Sequence, residues 1–306
     1  MSKHIDFISA GAGSGKTYRL TQQLKDELLG GSIHPSGVIA TTFTRLAAGE
    51  LKEKAREALI EAGEIAVANQ MSQALISTVN GVCGELMKRF SFEAGYSPEL
   101  QVLEETQAKH LFSQALDAVI GDDPKQVQAI NALAYRLGRD ERGVPLWRDD
   151  VVEITTAARA NNCDPQQMAE FAHQSSKSLL AYFPTPTRRQ LDVQLEQAIE
   201  SALAAITASD DTTKTTANYV QALRDAKRSL AMQQLGWPNW IKLSKSTPAK
   251  KSQSAAEEVQ LIAADFEKHP QLHRDIRDYT KSVFELSSKV ITRYQQLKAQ
   301  RGLIDF

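Results

Sequence analysis

A chain of 306 residues with 42% apolar and 24% charged side chains has the composition of an ordinary folded protein long enough for about two domains, which excludes a disordered or low-complexity polypeptide. Lysine plus arginine (36) nearly balances aspartate plus glutamate (37), so the net charge of −1 excludes a polyanion partner held by overall charge; such a partner needs a local basic patch. Two cysteines, Cys83 and Cys163, lie far apart and outside any CxxC pair, and six histidines form no HExxH cluster, which argues against a disulfide framework or structural metal and for a reducing compartment. No apolar run reaches the roughly 18 residues that span a bilayer, and Met1 to Asp6 carry no signal-peptide core, so the expected location is cytoplasmic with no membrane partner.

In chain order, Ile5, Phe7 and Ile8 read as a short buried strand. They lead through Ser9 into Ala10-Gly11-Ala12-Gly13-Ser14-Gly15-Lys16-Thr17, which has the form of a phosphate-binding loop, GxxxxGK(S/T), with Ala10 in place of the first glycine. Gly11, Gly13 and Gly15 have no Cβ, so the backbone can bring its N–H groups around phosphate oxygens. A helix predicted from Thr17 to about Leu29 adds first-turn N–H groups and a dipole that favours an anion. Lys16 would offer a cation to the β- and γ-phosphates, and the Thr17 hydroxyl would hold Mg²⁺. The bland alternative, a glycine-rich turn without a ligand, is disfavoured by the strand before it and the helix after it.

The breaker-rich segment 30–37 reads as a loop, and Val38 to Phe43 as a second strand. Ala47, Leu51, Ala55, Ala58, Leu59 and Ala62 recur at helical spacing and predict an amphipathic helix from about Leu46 to Ala62. Ala74 to Val79 reads as a third strand, followed by a helix carrying Val82, Leu86 and Phe90. Alternating strand and helix is the start of a parallel α/β sheet. Beyond Pro98 the pattern changes to helices near 105–120, 126–137, 149–160, 165–182, 188–207, 217–234, 254–267 and 270–300, with no fixed-period repeat. Residues 244–252, polar and basic, read as a mobile loop. The fold class is therefore α/β, a partial parallel sheet with helices, followed by a mostly α-helical domain.

The loop Ala10 to Thr17, the segment Thr41-Thr42-Phe43-Thr44-Arg45-Leu46-Ala47-Ala48-Gly49-Glu50-Leu51 and the segment Ile76-Ser77-Thr78-Val79-Asn80-Gly81-Val82-Cys83 resemble, in order and spacing, motifs I, Ia and Ib of the UvrD/Rep/RecB-like superfamily 1 DNA helicases. Phe92 to Pro98 before the helical part agrees too, as does Gly302-Leu303-Ile304-Asp305-Phe306, where the family places a similar element after a helical insertion and just before its Asp-Glu box. The resemblance is strong over residues 5–104 and the last twenty or so; Asn80 departs from it, standing where many members carry His.

The resemblance implies a RecA-like P-loop NTPase sheet, with the start of ATP-binding subdomain 1A in residues 1–104, helical subdomain 1B in 105–285, and a helix returning to 1A in 286–306. It implies ATP at Ala10, Gly11, Ala12, Gly13, Ser14, Gly15, Lys16 and Thr17, with Mg²⁺ on Thr17, and DNA at Thr42, Phe43, Thr44 and Arg45 and at Thr78, Val79 and Asn80. The implied activity is ATP-driven 3′ to 5′ translocation along single-stranded DNA with unwinding of the duplex. Hydroxyls and backbone N–H groups can hold phosphate without reading sequence, and an aromatic offers its face to any base.

No apolar run ending in Asp-Glu follows the phosphate loop. The carboxylate that activates water and the family's later arginines, with its second RecA-like domain, are therefore expected from elsewhere, in cis or in trans. The expectation is a chain that binds nucleotide-Mg²⁺ and DNA, holds no complete catalytic set and does not hydrolyse alone, although its parent is an ATP-hydrolysing helicase. The alternative is a non-catalytic nucleic-acid-binding or protein-interaction module that retains the phosphate loop. A small-molecule kinase is disfavoured, because motifs Ia and Ib have no role in one.

Several residues carry a bland reading beside a functional one. Phe43 fits a core aromatic as well as a base contact. Trp147, Trp237 and Trp240 fit buried packing better than base stacking. Lys52, Lys54 and Arg56 interleave with Glu50, Glu53 and Glu57 as a solvated face laced with ion pairs. Lys245 to Lys251 could touch a nucleic-acid backbone, and Asp122-Asp123, Asp149-Asp150 and Asp210-Asp211 fit helix caps.

Overall fold

The computed structural model describes residues 5, 7–9, 15–31, 33–95, 99 and 101–305. The chain divides into two compact units, Met1–Glu104 with Lys298–Phe306, and Glu105–Leu297.

The first unit begins with α1 (Lys16–Leu29), β1 (Ile39–Thr42), α2 (Arg45–Glu61), α3 (Ile65–Gln70), β2 (Leu75–Thr78), α4 (Val79–Arg89) and β3 (Gln101–Val102). Strands β1 and β2 pair in parallel, with Ile39 opposite Leu75 and Thr42 opposite Thr78. Parallel neighbours need a crossover, and α2 with α3 supplies it. Ala48, Leu51, Ala55 and Leu59 fall on one face of α2 and are buried. Ala55 and Leu59 meet Leu28 from α1, with Val38 and Ala74 just ahead of the two strands, Ala68 and Met71.

The expectation of a buried strand at Ile5, Phe7 and Ile8 is not met. Residues 5 and 7–9 are assigned no strand, and Ile5 and Phe7 are 89% and 90% exposed. Among the described residues β1 and β2 ladder only with each other. Without a hydrogen-bonded neighbour an apolar segment has water as the partner for its backbone and no second layer over its side chains.

The second unit is helical: α5 (Glu105–Asp122), α6 (Pro124–Leu137), α7 (Trp147–Ala160), α8 (Met168–Leu180), α9 (Leu191–Ala208), α10 (Lys214–Ala231), α11 (Trp237–Lys245), α12 (Glu257–Ala264) and α13 (Pro270–Gln300), with a small antiparallel hairpin of β4 (Asp140–Glu141) and β5 (Val144–Pro145). Its main core joins Leu195, Ile199 and Ile206 of α9 to Leu223 of α10, Trp240 of α11, Val259 of α12 and Ile276 of α13. After α13, which ends in the first unit, β6 (Leu303–Ile304) pairs in parallel with β3, Gln101 opposite Leu303 and Val102 opposite Ile304. Lys298 and Asp305 form an ion pair beside it.

Helix α11 goes unread in the sequence because Gly236 and Pro238 look like breakers. Pro238 instead occupies the first turn, where a missing N–H costs nothing, and Trp237, Trp240 and Leu243 recur at helical spacing on its buried side. All three tryptophans are buried, which settles them as packing residues. Trp147 donates to Asn131 Oδ1 at 2.6 Å and Trp237 to Asp275 Oδ2 at 2.9 Å. Residues 244–252 are not a free loop either. Ala249 N donates to Thr216 Oγ1 at 3.0 Å, Ser252 Oγ to Asp211 Oδ2 at 2.8 Å, and Lys251 Nζ to the Asp210 carbonyl at 3.2 Å. The Thr216 hydroxyl and its neighbouring donors hold the Asp211 carboxyl down to about 2.

Two close contacts yield tests. Asp275 is 0% exposed and accepts from Arg136 Nη2 (2.5 Å, α6), Trp237 Nε1 (α11) and Gln271 Nε2 (2.8 Å), so one carboxylate ties three helices. Asp275→Ala leaves the Arg136 guanidinium without its buried partner and is expected to cost the helical unit about 3–5 kcal/mol in denaturant unfolding; a loss below about 1 kcal/mol would show the carboxylate to be dispensable. A Cβ on Gly81 would stand 2.3 Å from Ser77 Oγ and 3.1 Å from Ser77 Cβ, since α4 starts against the end of β2. Gly81→Ala is expected to lower stability by about 1–3 kcal/mol, with partial recovery when Ser77→Ala removes the nearer atom. Equal melting midpoints for wild type and Gly81→Ala would contradict that contact.

Candidate nucleotide and nucleic-acid interface

Both strand-to-helix turns of the parallel pair are built alike. Thr44 has extended backbone and caps α2, its Oγ1 accepting from Ala47 N at 3.1 Å, while Thr42 Oγ1 donates to the Thr44 carbonyl at 2.9 Å. Thr78 ends β2 and caps α4, its Oγ1 accepting from Gly81 N at 3.1 Å. A threonine suits this junction because it is at home in a strand and its hydroxyl satisfies one of the amides that a helix start leaves over. Thr42 and Thr78 are partners across the ladder, so both helix starts lie at one carboxyl edge. In parallel sheets that edge is where ligands bind.

The side chains on this edge face water. Phe43 is fully exposed, Leu46 is 74% and Val79 54% exposed, and Arg45 and Asn80 are exposed as well. Phe43 is therefore no core residue. Arg45 makes no ion pair among the described residues. The remaining first-turn amides and the positive end of each helix dipole point to the same side, and the first turns of α2 and α4 hold no carboxylate to repel an anion.

Of the expected phosphate loop, Gly15, Lys16 and Thr17 are described, whereas Ala10, Gly11, Ala12, Gly13 and Ser14 lie outside the described residues. Gly15 precedes α1 in the left-handed region (φ 76°, ψ 23°), and a Cβ there would meet nothing within 4 Å. The glycine is thus required by its own backbone angles, with open space beside it. Lys16 and Thr17 open the helix with exposed side chains; among the described residues no side chain caps α1, and its first turn has no acidic residue. Uncapped amides, a cation, a hydroxyl and room for a ligand fit a phosphate bound with Mg²⁺. Leu24 and Leu28 of α1 and Ala55 and Leu59 of α2 pack with Val38 and Ala74, the residues that lead into the two strands, so Gly15–Thr17 and Thr44–Arg45 are the helix ends remote from that core.

The chain's two Asp-Glu pairs serve elsewhere. Asp26-Glu27 lies exposed within α1, and Asp140-Glu141 forms β4 in the helical unit. Among the described residues no group of three or more His, Cys, Asp or Glu could hold a metal ion, and no helix is long and apolar enough to cross a membrane. The charged face of α2 is solvated as expected, but Lys54 and Arg56 make no ion pair among the described residues; exposed pairs gain little over water. Leu46 and Gly81 lie inside the motif segments without being singled out as site residues; Leu46 is exposed, and Gly81 N donates to Thr78 Oγ1. A Thr three residues ahead of each capped amide is the signal that could have found both turns.

Residues 2–306 match the family model described as UvrD/REP helicase N-terminal domain. Relatives include an ATP-dependent helicase/nuclease subunit of Listeria monocytogenes serovar 1/2a, 22% identical over 98% of this chain and 28% of its own length. The ATP-dependent helicase/nuclease subunit of Lactobacillus gasseri is 36% identical over 38% of this chain and 10% of its own length. The ATP-dependent DNA helicase SRS2 of Saccharomyces cerevisiae is 32% identical over 40% of this chain and 10% of its own length. The chain thus spans under a third of these relatives' length. A family model that fits nearly every residue, on a parallel strand pair with helix starts aligned at one edge, places this chain in the UvrD/REP helicase N-terminal domain family.

Proposed function

We propose that these residues form the nucleotide-gripping and strand-contacting part of an ATP-dependent DNA helicase, moving 3′ to 5′. The observation that carries this reading is the shared edge, where β1 and β2 bring two Thr-capped helix starts into register and Phe43 stands fully in water. The names of the relatives, ATP-dependent helicase/nuclease and ATP-dependent DNA helicase, support the same class of activity. In this reading residues 1–104 belong to a RecA-like subdomain 1A, 105–285 to a helical subdomain 1B, and 286–306 return to 1A.

Ala10 to Lys16 hold the triphosphate of ATP, and the Thr17 hydroxyl holds Mg²⁺, which neutralises charge on the phosphates. Thr44 and Thr78 present hydroxyl protons, and Arg45 and Asn80 further donors, to successive phosphates of a single strand, which Thr42 joins when its hydroxyl turns from the Thr44 carbonyl to the strand. Phe43 stacks under a base, with Val79 extending the apolar surface. None of these groups distinguishes one base from another, as a motor that passes over any sequence requires. Among the described residues neither Asp-Glu pair directly follows β1 or β2, one lying within α1 and the other forming β4, so in this reading hydrolysis draws on acidic groups and arginines from further polypeptide, in cis or in trans.

Two substitutions separate the halves of the site. Lys16→Ala removes a charge-assisted contact worth about 1.5–3 kcal/mol and is expected to weaken ATP-Mg²⁺ binding by about ten- to a hundredfold in calorimetric titration, leaving DNA affinity in place. Unchanged nucleotide affinity would remove the phosphate-loop assignment. Phe43→Ala is expected to weaken binding of single-stranded oligonucleotides by about tenfold, irrespective of base sequence, in fluorescence anisotropy, with Phe43→Trp close to wild type. Equal affinities for wild type and Phe43→Ala would take the strand off this edge.

A further inference from the structure

In the helical unit a cavity of about 440 Å³ opens between α8, α13 and the turn that follows α8. Each helix lines it with the same kind of pair one turn apart, His173 and Lys177 on α8, His273 and Arg277 on α13. Residues four apart share a helix face, so each histidine and the cation after it point the same way. Thr185 adds a hydroxyl, the Ser176 hydroxyl being donated to the His173 carbonyl at 3.0 Å, and Pro184 and Pro186 stiffen the turn. Among the described residues no carboxylate lines the cavity.

That last feature separates it from the larger cavity of about 700 Å³ in the same unit, where Asp192 and Glu196 stand with Arg136 and Arg274 and the charge is balanced from within. Neither Lys177 nor Arg277 makes an ion pair among the described residues. The neighbouring carboxylates are turned to other tasks or lie outside the lining: Glu170 accepts from Gln174 at 2.7 Å, and Glu285 pairs with Lys281 at 3.6 Å, the next cation along α13. His273 is fixed from behind, donating from Nε2 to the Glu267 carbonyl at 2.8 Å with Phe183 against its ring. Two cations, two imidazoles and the Thr185 hydroxyl line a recess that, among the described residues, has no carboxylate in its wall.

The geometry points to this recess as a seat for a phosphoryl group, separate from the phosphate loop and from the edge of the parallel strands. Arginine and lysine offer charge-assisted N–H donors to its oxygens, and the recess has room for a phosphate with part of the group that bears it. The assignment does not rest on the helicase reading, since all the residues involved lie in the helical unit.

The test follows the imidazole signals of His173 and His273 by nuclear magnetic resonance in the full chain during titration with inorganic phosphate, with sodium chloride at matched ionic strength as reference. A saturable shift with phosphate alone is expected. The double variant Lys177→Gln/Arg277→Gln should weaken it about tenfold or more, and Lys177→Arg/Arg277→Lys should stay within about threefold of wild type. Lys177 and Arg277 are both exposed, and matching circular dichroism melts establish that the variants are folded. Signals that follow ionic strength alone, or an affinity indifferent to the double Gln change, overturn the proposal. A short single-stranded oligonucleotide that competes with phosphate for these signals supports a nucleic-acid backbone as the source. Phosphate binding without such competition supports a small phosphorylated molecule.

Discussion

The bond from each capping threonine to the third amide beyond it is what the interface depends on. Thr44 accepts from Ala47 and Thr78 from Gly81, both at 3.1 Å, and each bond fixes the point where an extended chain turns into a helix. Because Thr42 lies opposite Thr78 in the ladder, the two turns cannot drift apart along the strands. A slip by one residue would exchange the faces of the strand and move Phe43 relative to Val79. Burial of Leu51, Ala55 and Leu59 beneath α2 then holds the first helix down, while the close approach of Gly81 to Ser77 sets the second. The exposed side chains carry the chemistry, and these buried or backbone contacts aim them.

Much of this architecture is legible in the residues alone. Helical spacing places α1, α2, α5 to α10 and α13 to within a few residues, because each buries one stripe of apolar side chains. The partial α/β sheet ahead of a helical part is legible from the switch in period near Pro98. Several features are not, and three of them show why. Ile5, Phe7 and Ile8 have the composition of a buried strand but no ladder neighbour among the described residues, and composition does not report neighbours. Trp237 to Lys245 contains a proline whose helix-starting position is visible only once the buried spacing of Trp237, Trp240 and Leu243 is known. The basic stretch to Ser252 looks free in sequence, whereas Asp211, some forty residues earlier, holds it through Ser252 and Thr216.

At the site the same division holds. Residue types and spacing are enough to single out Gly15, Lys16 and Thr17 as a candidate phosphate loop, because phosphate chemistry demands glycines, a cation and a hydroxyl in a known order, whereas Thr42 to Arg45 and Thr78 to Asn80 stand out only through the resemblance to helicase motifs. The fate of Phe43 is not legible, since an aromatic after a strand serves a core or a surface equally well. Its full exposure decides the matter. The cleft between α8 and α13 is invisible in sequence, because His173 and Lys177 lie a hundred residues from His273 and Arg277, and only packing brings the two pairs to one cavity.

Hydrogen exchange at the two helix starts, measured on the whole chain with and without a single-stranded oligonucleotide, tests the shared edge most directly. If one strand lies across both turns, the amides of residues 45–47 and 79–81 slow together when the oligonucleotide is added. Tight binding of the oligonucleotide with exchange at both turns unchanged would contradict the account.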